Sequence, residues 1–313
     1  MKTIVLEKAG GIENLIMKEI DQPIANKNEV IVAVKAISVN PVDYKVRAVE
    51  DTLDMFCGTE RPVILGWDIA GKIISKGDKV TLFEIGDDVF GMVKFPGLGN
   101  AYAEYVSAPE IHLAKMPANV SYVEAAATTL AALTALQALE DNVKKGDRIL
   151  IQAGSGGVGH FAIQIAKHLG AYVITTCSGK NREFVLSLGA DEHIDYHRQK
   201  FEEVLSDIDL VLDVFNGEVL LNSVKVMKDG GKIISLPVPN FSEEIMKEAQ
   251  KRKVNVAFMM VSSNGKDMNT LSKYLSDGSI KVHVSKTFAF SEMGKAHLQL
   301  ESGRTVGKVV VEV

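Results

Sequence analysis

The sequence predicts an α/β protein in which a parallel, doubly wound sheet interrupts a β-rich unit. Short runs of β-branched and aromatic residues, punctuated by Gly, Pro, Asn and Asp, fill residues 1–120. Strand and helix patterns then alternate from Asp147 to about residue 276, which is typical of a parallel sheet covered by helices. From about Lys281 the chain returns to β character and ends in the apolar segment 308–313.

The β-rich unit is assigned to residues 1–120 and 264–313. Runs rich in β-branched or aromatic residues predict its strands, at residues 2–6, 29–37, 63–65, 71–75 and 103–107. Residues 86–91 read Gly-Asp-Asp-Val-Phe-Gly, which predicts a turn that enters a further strand.

The α/β unit is assigned to residues 121–263 and begins with a helix. Ser121 and Glu124 fit a capping box, and residues 125–139 are rich in alanine and leucine. Apolar runs predict strands at 149–152, 172–176, 193–195, 210–214, 232–236 and 254–261. Helical spacing of apolar residues predicts helices at 157–169, 182–188, 218–227, 242–252 and 268–276.

Residues 149–170, ILIQAGSGGVGHFAIQIAKHLG, carry the strongest functional signal. An apolar strand and an amphipathic helix flank a turn made of Gly154, Ser155, Gly156, Gly157, Val158 and Gly159. Glycines at this spacing let the backbone approach a pyrophosphate, and the free N–H groups of the following helix favour its negative charge. The context therefore predicts a dinucleotide site rather than an ordinary glycine-rich turn.

The end of the second strand of this unit indicates which dinucleotide binds. NAD sites place an acidic residue about 20 residues after the glycines, where it accepts hydrogen bonds from the ribose. Here no carboxylate precedes Glu183, and the segment offers Ser178, Lys180 and Arg182 instead. A hydroxyl and two cations suit a 2′-phosphate, which predicts NADPH. The alternative is that Lys180 and Arg182 only begin a solvated helix.

Composition narrows the classes of protein that fit. The net charge is -5, and the longest run of cations, Lys251, Arg252 and Lys253, is too short for a nucleic-acid surface. No apolar stretch is long enough for a membrane helix, and the N-terminal apolar run is too short for a signal peptide. Cys57 and Cys177 are far apart and form no disulfide framework, so a cytoplasmic location is expected.

Several motifs together resemble the zinc-free medium-chain dehydrogenases/reductases of the quinone oxidoreductase (zeta-crystallin-like) group. They are Asn40-Pro41-Val42-Asp43, Gly66-Trp67-Asp68-Ile69-Ala70-Gly71, the segment from Ala153 to Gly159, Leu188-Gly189-Ala190-Asp191 and Gly307-Lys308-Val309-Val310. The similarity spans essentially the whole chain, and the form from Asn40 to Lys45 is particularly like that of plant enone and alkenal reductases.

This resemblance implies a Rossmann domain inserted in a GroES-like catalytic domain. It implies hydride transfer from NADPH to a quinone or an activated double bond. Ser178, Lys180 and Tyr196 would border the adenosine 2′-phosphate, and Thr134 and Lys308 would join the cofactor-binding residues. The resemblance also implies a homodimer that pairs through the strand at 254–261, where an apolar edge would otherwise be a liability.

A metal site is not expected. Zinc sites need His, Cys or carboxylate ligands in sets of three or four. Zinc-dependent relatives carry Cys near the position of Asp43, His where this chain has Trp67, and a four-cysteine lobe after the position of Phe90. Residues 90–105 contain no cysteine, and the seven histidines are scattered, with His160 and His168 expected at the surface or in packing.

Without a metal, side chains must stabilise the charge that develops on the substrate oxygen. Lys45 and Tyr44 lie in the segment that resembles the family's nicotinamide-side loop, and Asn40 would fix that loop or bind a ribose. Lys45 is expected to stabilise the oxyanion, although a lysine just past a strand is usually only a solvated charge. Asp43 is expected to orient its neighbours.

Two further segments, 56–60 and 95–100, are expected to rim the substrate cleft as loops, and Phe258, Met259 and Met260 to line it or to form the apolar strand. The function predicted is that of an NADPH-dependent quinone or enone reductase. Two alternatives stay open at this point: an enoyl-thioester reductase of the same superfamily, and a non-catalytic NADPH-binding protein.

Overall fold

The computed structural model describes residues 1–237 and 239–313, and the chain forms two compact units. The first comprises Met1–Leu133, Val261–Gly278 and Val282–Val313, and the second comprises Thr134–Met260 and Ser279–Lys281. The domain boundaries after residues 120 and 263 stay a prediction.

The strands follow the chain in the order β1 to β16. They are β1 Lys2–Leu6, β2 Leu15–Glu19, β3 Glu29–Val39, β4 Val63–Ile64, β5 Asp68–Lys76, β6 Asp88–Met92, β7 Tyr105–Pro109, β8 Leu113–Lys115, β9 Arg148–Ile151, β10 Tyr172–Cys177, β11 Glu192–Asp195, β12 Ile208–Asp213, β13 Met227–Ser235, β14 Asn255–Phe258, β15 Val284–Ala289 and β16 Lys308–Glu312.

The helices are numbered in the same way. They are α1 Pro41–Ala48, α2 Glu50–Cys57, α3 Tyr122–Ala127, α4 Leu130–Leu139, α5 Gly159–His168, α6 Arg182–Ser187, α7 Phe201–Val204, α8 Gly217–Lys225, α9 Glu243–Lys251, α10 Gly265–Ser276 and α11 Met293–Glu301.

The first unit is built on two sheets. A seven-stranded sheet has the order β15-β16-β3-β5-β6-β8, with β7 paired to β3, and a three-stranded sheet has the order β2-β1-β4. All their pairings are antiparallel except β15 with β16, which is parallel. The predicted β-rich character of this part of the chain is confirmed.

The second unit contains a six-stranded parallel sheet of order β11-β10-β9-β12-β13-β14. This is the doubly wound order of dinucleotide-binding sheets, in which the first strand, β9, lies at the centre. Ile149, Leu150 and Ile151 are all fully buried, because helices cover both faces of a parallel sheet. The predicted fold class is therefore correct.

The predicted helix over residues 125–139 is wrong in one respect, because it is broken into α3 and α4. The hydroxyls of Thr128 and Thr129 bond the carbonyls of Glu124 and Ala126, each at 2.7 Å, and so end α3. The carboxylate of Asp68 accepts the backbone N–H of Leu130 at 3.0 Å and begins α4.

The segment after β3, expected as a loop, is also different. Residues Pro41–Ala48 form α1, and Glu50–Cys57 form α2, so that the expected loop at 56–60 begins inside the last turn of α2. Asn40 is the N-cap of α1, Pro41 is its first residue, and Asp43 accepts the Asn40 backbone N–H at 2.7 Å. Lys45 therefore stands on a helix, not just past a strand.

Two smaller differences concern the C-terminal part. The predicted strand 254–261 is shorter, with only Asn255–Phe258 in β14. The segment after Lys281, expected to be β-rich, also contains helix α11.

Candidate active site: a glycine turn and a buried polar network

The glycine turn follows β9 directly and leads into α5. A side chain at Gly154 would overlap the Thr175 hydroxyl, and one at Gly159 would overlap the Ala153 carbonyl. At Gly156 the closest atom to an added Cβ is the Ala153 carbonyl oxygen, 3.2 Å away. Packing thus requires glycine at Gly154 and Gly159. The Gly156 position is tight rather than blocked, and its lack of a side chain suits the close approach of a pyrophosphate to the backbone.

The turn is tied to the end of β10. The backbone N–H of Gly154 bonds the Thr176 carbonyl at 3.0 Å, and the side-chain amide of Asn181 bonds the Ser155 hydroxyl at 3.0 Å. Gly157 and Val158 complete the turn, with Val158 as the N-cap of α5. The residues that would hold a pyrophosphate and those that follow β10 are therefore held together.

The ends of β10 and β11 bring the expected phosphate-binding residues to one edge of the sheet. Cys177 pairs with Asp195 in register, so Ser178 and Tyr196 each follow the last residue of neighbouring strands. Ser178 is half-buried, and Lys180 and Tyr196 are exposed. A hydroxyl, a cation and an aromatic ring are thus available to an adenosine phosphate there.

Sequence reasoning missed a carboxylate at this edge. Asp195 accepts the backbone N–H of His197 at 3.1 Å and pairs with Arg198 at 3.7 Å, and its oxygen lies 2.5 Å from where a Cβ of Gly179 would be. The acidic residue of NAD sites is expected after the second strand of the unit, whereas Asp195 ends the third strand, β11. Asp195 therefore places a carboxylate beside the residues expected to bind the 2′-phosphate.

The residues expected to be catalytic lie in the first unit, on or next to α1. Lys45 is exposed, and Tyr44 is half-buried. Burial and the nearby charge of Glu301 raise the pKa of Tyr44, so it remains a hydrogen-bond donor at neutral pH. Thr134, expected to bind the cofactor, lies on α4 and is 5% exposed.

The side chain of Asn40 is buried and is bonded on both sides. Its amide nitrogen donates to Asp68 at 2.7 Å, and its oxygen accepts from the ammonium group of Lys308. Lys308 also bonds the Val39 carbonyl at 3.4 Å, and Asn40, Asp68 and Lys308 are all buried. Of the two roles expected for Asn40, this geometry favours fixing the segment.

A second set of buried groups, absent from the sequence-based site, begins at Asp43. The Tyr102 hydroxyl lies 2.9 Å from Asp43 and 2.8 Å from Nε2 of His297. Nδ1 of His297 lies 3.5 Å from Arg47, which pairs with Glu301 at 2.6 Å. Asp43, Tyr102 and His297 are fully buried.

Burial shifts the ionisation of these groups. Burial and the charge of Asp68 raise the pKa of Asp43 to about 7, against the effect of hydrogen bonds from Tyr102 and Asn40. Burial and the charge of Arg47 lower the pKa of His297 to about 3, so the ring is neutral. Burial lowers the pKa of Lys308, although Asp68 and Asp43 oppose this shift.

Aromatic rings connect the two segments expected to rim a substrate cleft. Phe56 and Phe95 lie 5.7 Å apart between ring centroids, and both contact Trp67. The indole N–H of Trp67 bonds the Gly97 carbonyl at 2.6 Å, and Ser263 bonds the Phe95 N–H at 2.9 Å. The segment 95–100 is therefore fixed by its neighbours.

In residues 1–237 and 239–313, no group of three or more His, Cys, Asp or Glu side chains gathers as a metal site would require. His160, expected at the surface or in packing, is fully buried, with Nδ1 2.9 Å from the Gly156 carbonyl oxygen. Over the same described residues, no helix is both long and apolar enough to cross a membrane.

Comparisons with known proteins identify the family of this chain. Residues 26–118 match the family model described as alcohol dehydrogenase GroES-like domain, and residues 188–311 match the one described as zinc-binding dehydrogenase. The NADPH-dependent alkenal/one oxidoreductase of Arabidopsis thaliana chloroplasts is 32% identical over 328 residues, which cover 99% of this chain and 79% of that protein. The chain belongs to the quinone oxidoreductase group of medium-chain dehydrogenases/reductases.

Solved structures agree with this membership. The quinone oxidoreductase from Coxiella burnetii has a TM-score of 0.93 and 35% identity, and the match covers 100% of this chain and 99% of that one. The Escherichia coli quinone oxidoreductase complexed with NADPH has a TM-score of 0.89 and 25% identity, and the match covers 100% of both chains. This medium-chain reductase is accordingly an oxidoreductase with a GroES-like part and a Rossmann-like sheet.

Proposed function

We propose that this protein reduces quinones or α,β-unsaturated carbonyl compounds with NADPH and without a metal. The observation that carries the proposal is the glycine turn at the start of α5, where an added Cβ would overlap neighbouring atoms at Gly154 and Gly159 and would lie 3.2 Å from the Ala153 carbonyl oxygen at Gly156. Two relatives support the chemistry, since one is named an NADPH-dependent alkenal/one oxidoreductase and the other is a quinone oxidoreductase complexed with NADPH.

The second unit would hold the cofactor. The turn from Gly154 to Val158 would bind the pyrophosphate through backbone N–H groups and the start of α5. Ser178 and Lys180, with Tyr196 beside them, would bind the 2′-phosphate, and Arg182 adds a second exposed cation. Lys308, buried against Asn40, would contribute to the cofactor site by fixing the start of α1.

Bound NADPH supplies the hydride. Lys45 would then stabilise the negative charge that develops on the substrate oxygen, because it is the exposed cation of α1. Tyr44 remains protonated at neutral pH and would donate a hydrogen bond to the same oxygen. Asn40 would hold the start of α1, and so keep both side chains in place.

Metal independence rests on the donor set. Trp67 is buried and bonded to Gly97 where zinc-dependent relatives carry a histidine ligand. Cys57 is buried, and burial raises the pKa of its thiol to about 11, so it is a poor metal ligand. No described cluster supplies the three or four ligands that zinc requires.

A homodimer would form through β14. This strand ends the six-stranded sheet, and Val256, Ala257 and Phe258 are only partly buried. An apolar strand edge of this kind is prone to pair with another strand, and a second copy of the chain would cover it. Light scattering at micromolar concentration tests this, and a stable monomer would contradict it.

Turnover of NADPH with a panel of quinones, enones and acyl-thioesters tests the function. Reduction of quinones and enones, with acyl-thioesters much slower, is the expected result. Faster turnover of acyl-thioesters would instead identify an enoyl-thioester reductase. Binding of NADPH with no turnover on any of the three classes would identify a non-catalytic protein.

A further inference from the structure

A chain of hydrogen bonds in the interior of the first unit leaves α1 at Asp43 and returns to the same helix at Arg47. Tyr102 lies between Asp43 and His297, at 2.9 Å and 2.8 Å, and His297 lies 3.5 Å from Arg47. Arg47 is anchored at its other end by Glu301 at 2.6 Å and by the Gly10 carbonyl at 3.0 Å.

The chemistry of these groups fixes the direction of every bond. A guanidinium group has only donors, so Nδ1 of His297 must accept from Arg47. The neutral ring then carries its proton on Nε2 and donates it to the Tyr102 oxygen. The Tyr102 hydroxyl is left to donate to Asp43, whose second oxygen accepts the backbone N–H of Asn40 at 2.7 Å.

This chain ends on the first turn of α1. Asp43 is the third residue of that helix, and its bond to the Asn40 N–H defines the helix start. Tyr44 and Lys45 follow Asp43 immediately, so the direction in which their side chains leave the helix depends on that turn. Tyr102 and His297 belong to other elements and act on α1 from outside.

We propose that Tyr102 and His297 are positioning residues for the reduction, which orient Asp43 and through it Tyr44 and Lys45. The inference rests on the proposed function, in which these last two side chains act on the substrate. It assigns a role to His297, which no motif in the sequence places near the reaction.

Protonation of Asp43 would disrupt the direction of donation along this chain of hydrogen bonds. A protonated Asp43 must donate, but the Asn40 N–H is itself a donor, so the proton has to face Tyr102. Tyr102 would then either donate to His297, whose Nδ1 would carry a proton against the donors of Arg47, or accept from both neighbours and leave its own proton without an acceptor. The chain is therefore intact only while Asp43 is ionised.

Several titratable and charged side chains surround Asp43 and influence its pKa. The titratable and charged groups concerned are Asp68, Lys308, Tyr102, Cys57, Arg47 and His297. Since burial and Asp68 raise the pKa of Asp43 to about 7, kcat should fall as the pH decreases through neutrality. Removal of the Tyr102 hydroxyl, which lowers this pKa, should move the acid limb to higher pH.

The test uses the full-length protein and four variants. Tyr102→Phe and His297→Leu break the chain, whereas His297→Gln keeps a donor for Tyr102 and an acceptor for Arg47. Tyr122→Phe is the matched control, because it removes a Tyr–Asp hydrogen bond, to Asp88, at a different helix. For each variant, kcat and KM for an enone and KM for NADPH are measured across pH 5.5 to 8.5, together with Tm.

Tyr102→Phe and His297→Leu should lower kcat at least about tenfold, equivalent to about 1.4 kcal/mol, with KM for NADPH unchanged. The acid limb of Tyr102→Phe should move to higher pH. His297→Gln should recover most of the rate, and Tyr122→Phe should keep the wild-type rate and pH profile.

A lower Tm with unchanged kcat and pH profile in Tyr102→Phe would overturn the proposal, because a purely structural role would affect stability alone. If His297→Leu does not fold, Tyr102→Phe alone tests the proposal, because this variant removes only one oxygen atom and is expected to fold. A wild-type protein that reduces neither quinones nor enones refutes the proposed function and this inference with it, whereas active wild type with fully active variants refutes only this inference.

Discussion

Asp43 should make the stability of the protein depend on pH in an unusual direction. Its pKa is raised from 3.8 to about 7, chiefly by burial and then by the charge of Asp68. Because the folded pKa is the higher one, the native state holds more protons than the unfolded chain between these values. Stability should therefore fall as the pH rises from 4 to 7, whereas salt-bridged carboxylates produce the opposite trend.

The size of the effect follows from this shift. One pH unit between the two pKa values corresponds to about 1.4 kcal/mol. Between pH 5 and 7 the free energy of unfolding should fall by about 2 kcal/mol. This is slightly less than the full effect over two pH units, because Asp43 is already half ionised near its folded pKa.

Asp43→Asn isolates this contribution, because an amide does not titrate. Urea unfolding of wild type and variant at pH 5, 6 and 7 gives the difference in free energy of unfolding at each pH. That difference should shift in favour of the variant by about 2 kcal/mol between pH 5 and 7. The variant loses hydrogen bonds and can be less stable at every pH, so the slope rather than the offset is the test.

Asp88→Asn is the matched control. Although burial raises the pKa of Asp88, hydrogen bonds from Lys72 and Tyr122 lower it overall, so this carboxylate is ionised in both states above pH 5. The difference in free energy of unfolding between Asp88→Asn and wild type should therefore be constant from pH 5 to 7. Parallel stability curves for wild type and Asp43→Asn would refute the reasoning, because they would mean that Asp43 ionises in the fold as easily as in the unfolded chain.

Four further outcomes are expected. Calorimetry should show that NADPH binds at least about tenfold more tightly than NADH, or about 1.4 kcal/mol, and equal affinities would contradict the role of Ser178 and Lys180. Gly156→Val should abolish cofactor binding with Tm retained, whereas Gly154→Ala should lower Tm because its Cβ overlaps Thr175. Lys45→Met should keep NADPH affinity and lose about 10²- to 10³-fold in enone reduction, with a smaller loss for quinones, and wild-type rates would show that Lys45 is only a surface charge. Dialysis against a chelator should leave activity and Tm unchanged, and stoichiometric zinc in the purified protein would disprove metal independence.

The second unit was predictable because its signals are local. The strand, glycine turn and helix from Ile149 to His168 are consecutive, and the apolar run that forms β9 is buried on both faces. Alternation of short apolar runs with helical patterns was enough to give the parallel sheet. The observed strand ends differ from the predicted ones by a few residues, as for β14, because an apolar run in the sequence does not show where strand pairing stops.

Helix α1 was missed although its signals were present. Asn40, Pro41 and Asp43 occupy the N-cap, first and third positions, which is a common helix start. The resemblance to the family's nicotinamide-side loop led instead to the expectation of a loop. The break between α3 and α4 had one local signal, the adjacent Thr128 and Thr129 that end α3, but the group that begins α4 is Asp68, which lies 62 residues before Leu130.

The buried network could not be found from sequence spacing. Tyr102 and His297 are 195 residues apart, and Lys308 is 268 residues from Asn40. Each residue type is common at the surface, so nothing in the local sequence marks these as buried. Their burial depends on which strands and helices meet, which only the tertiary structure shows.

Asp68 has one consequence for engineering this protein. One of its oxygens begins α4 through Leu130, and the other holds Asn40 at the beginning of α1. Two helices that are distant in sequence are thus anchored to a single carboxylate and are not independent design elements. Substitutions near the beginnings of α1 and α4 should be non-additive, so libraries that aim to change substrate range should vary the two positions together while keeping Asp68.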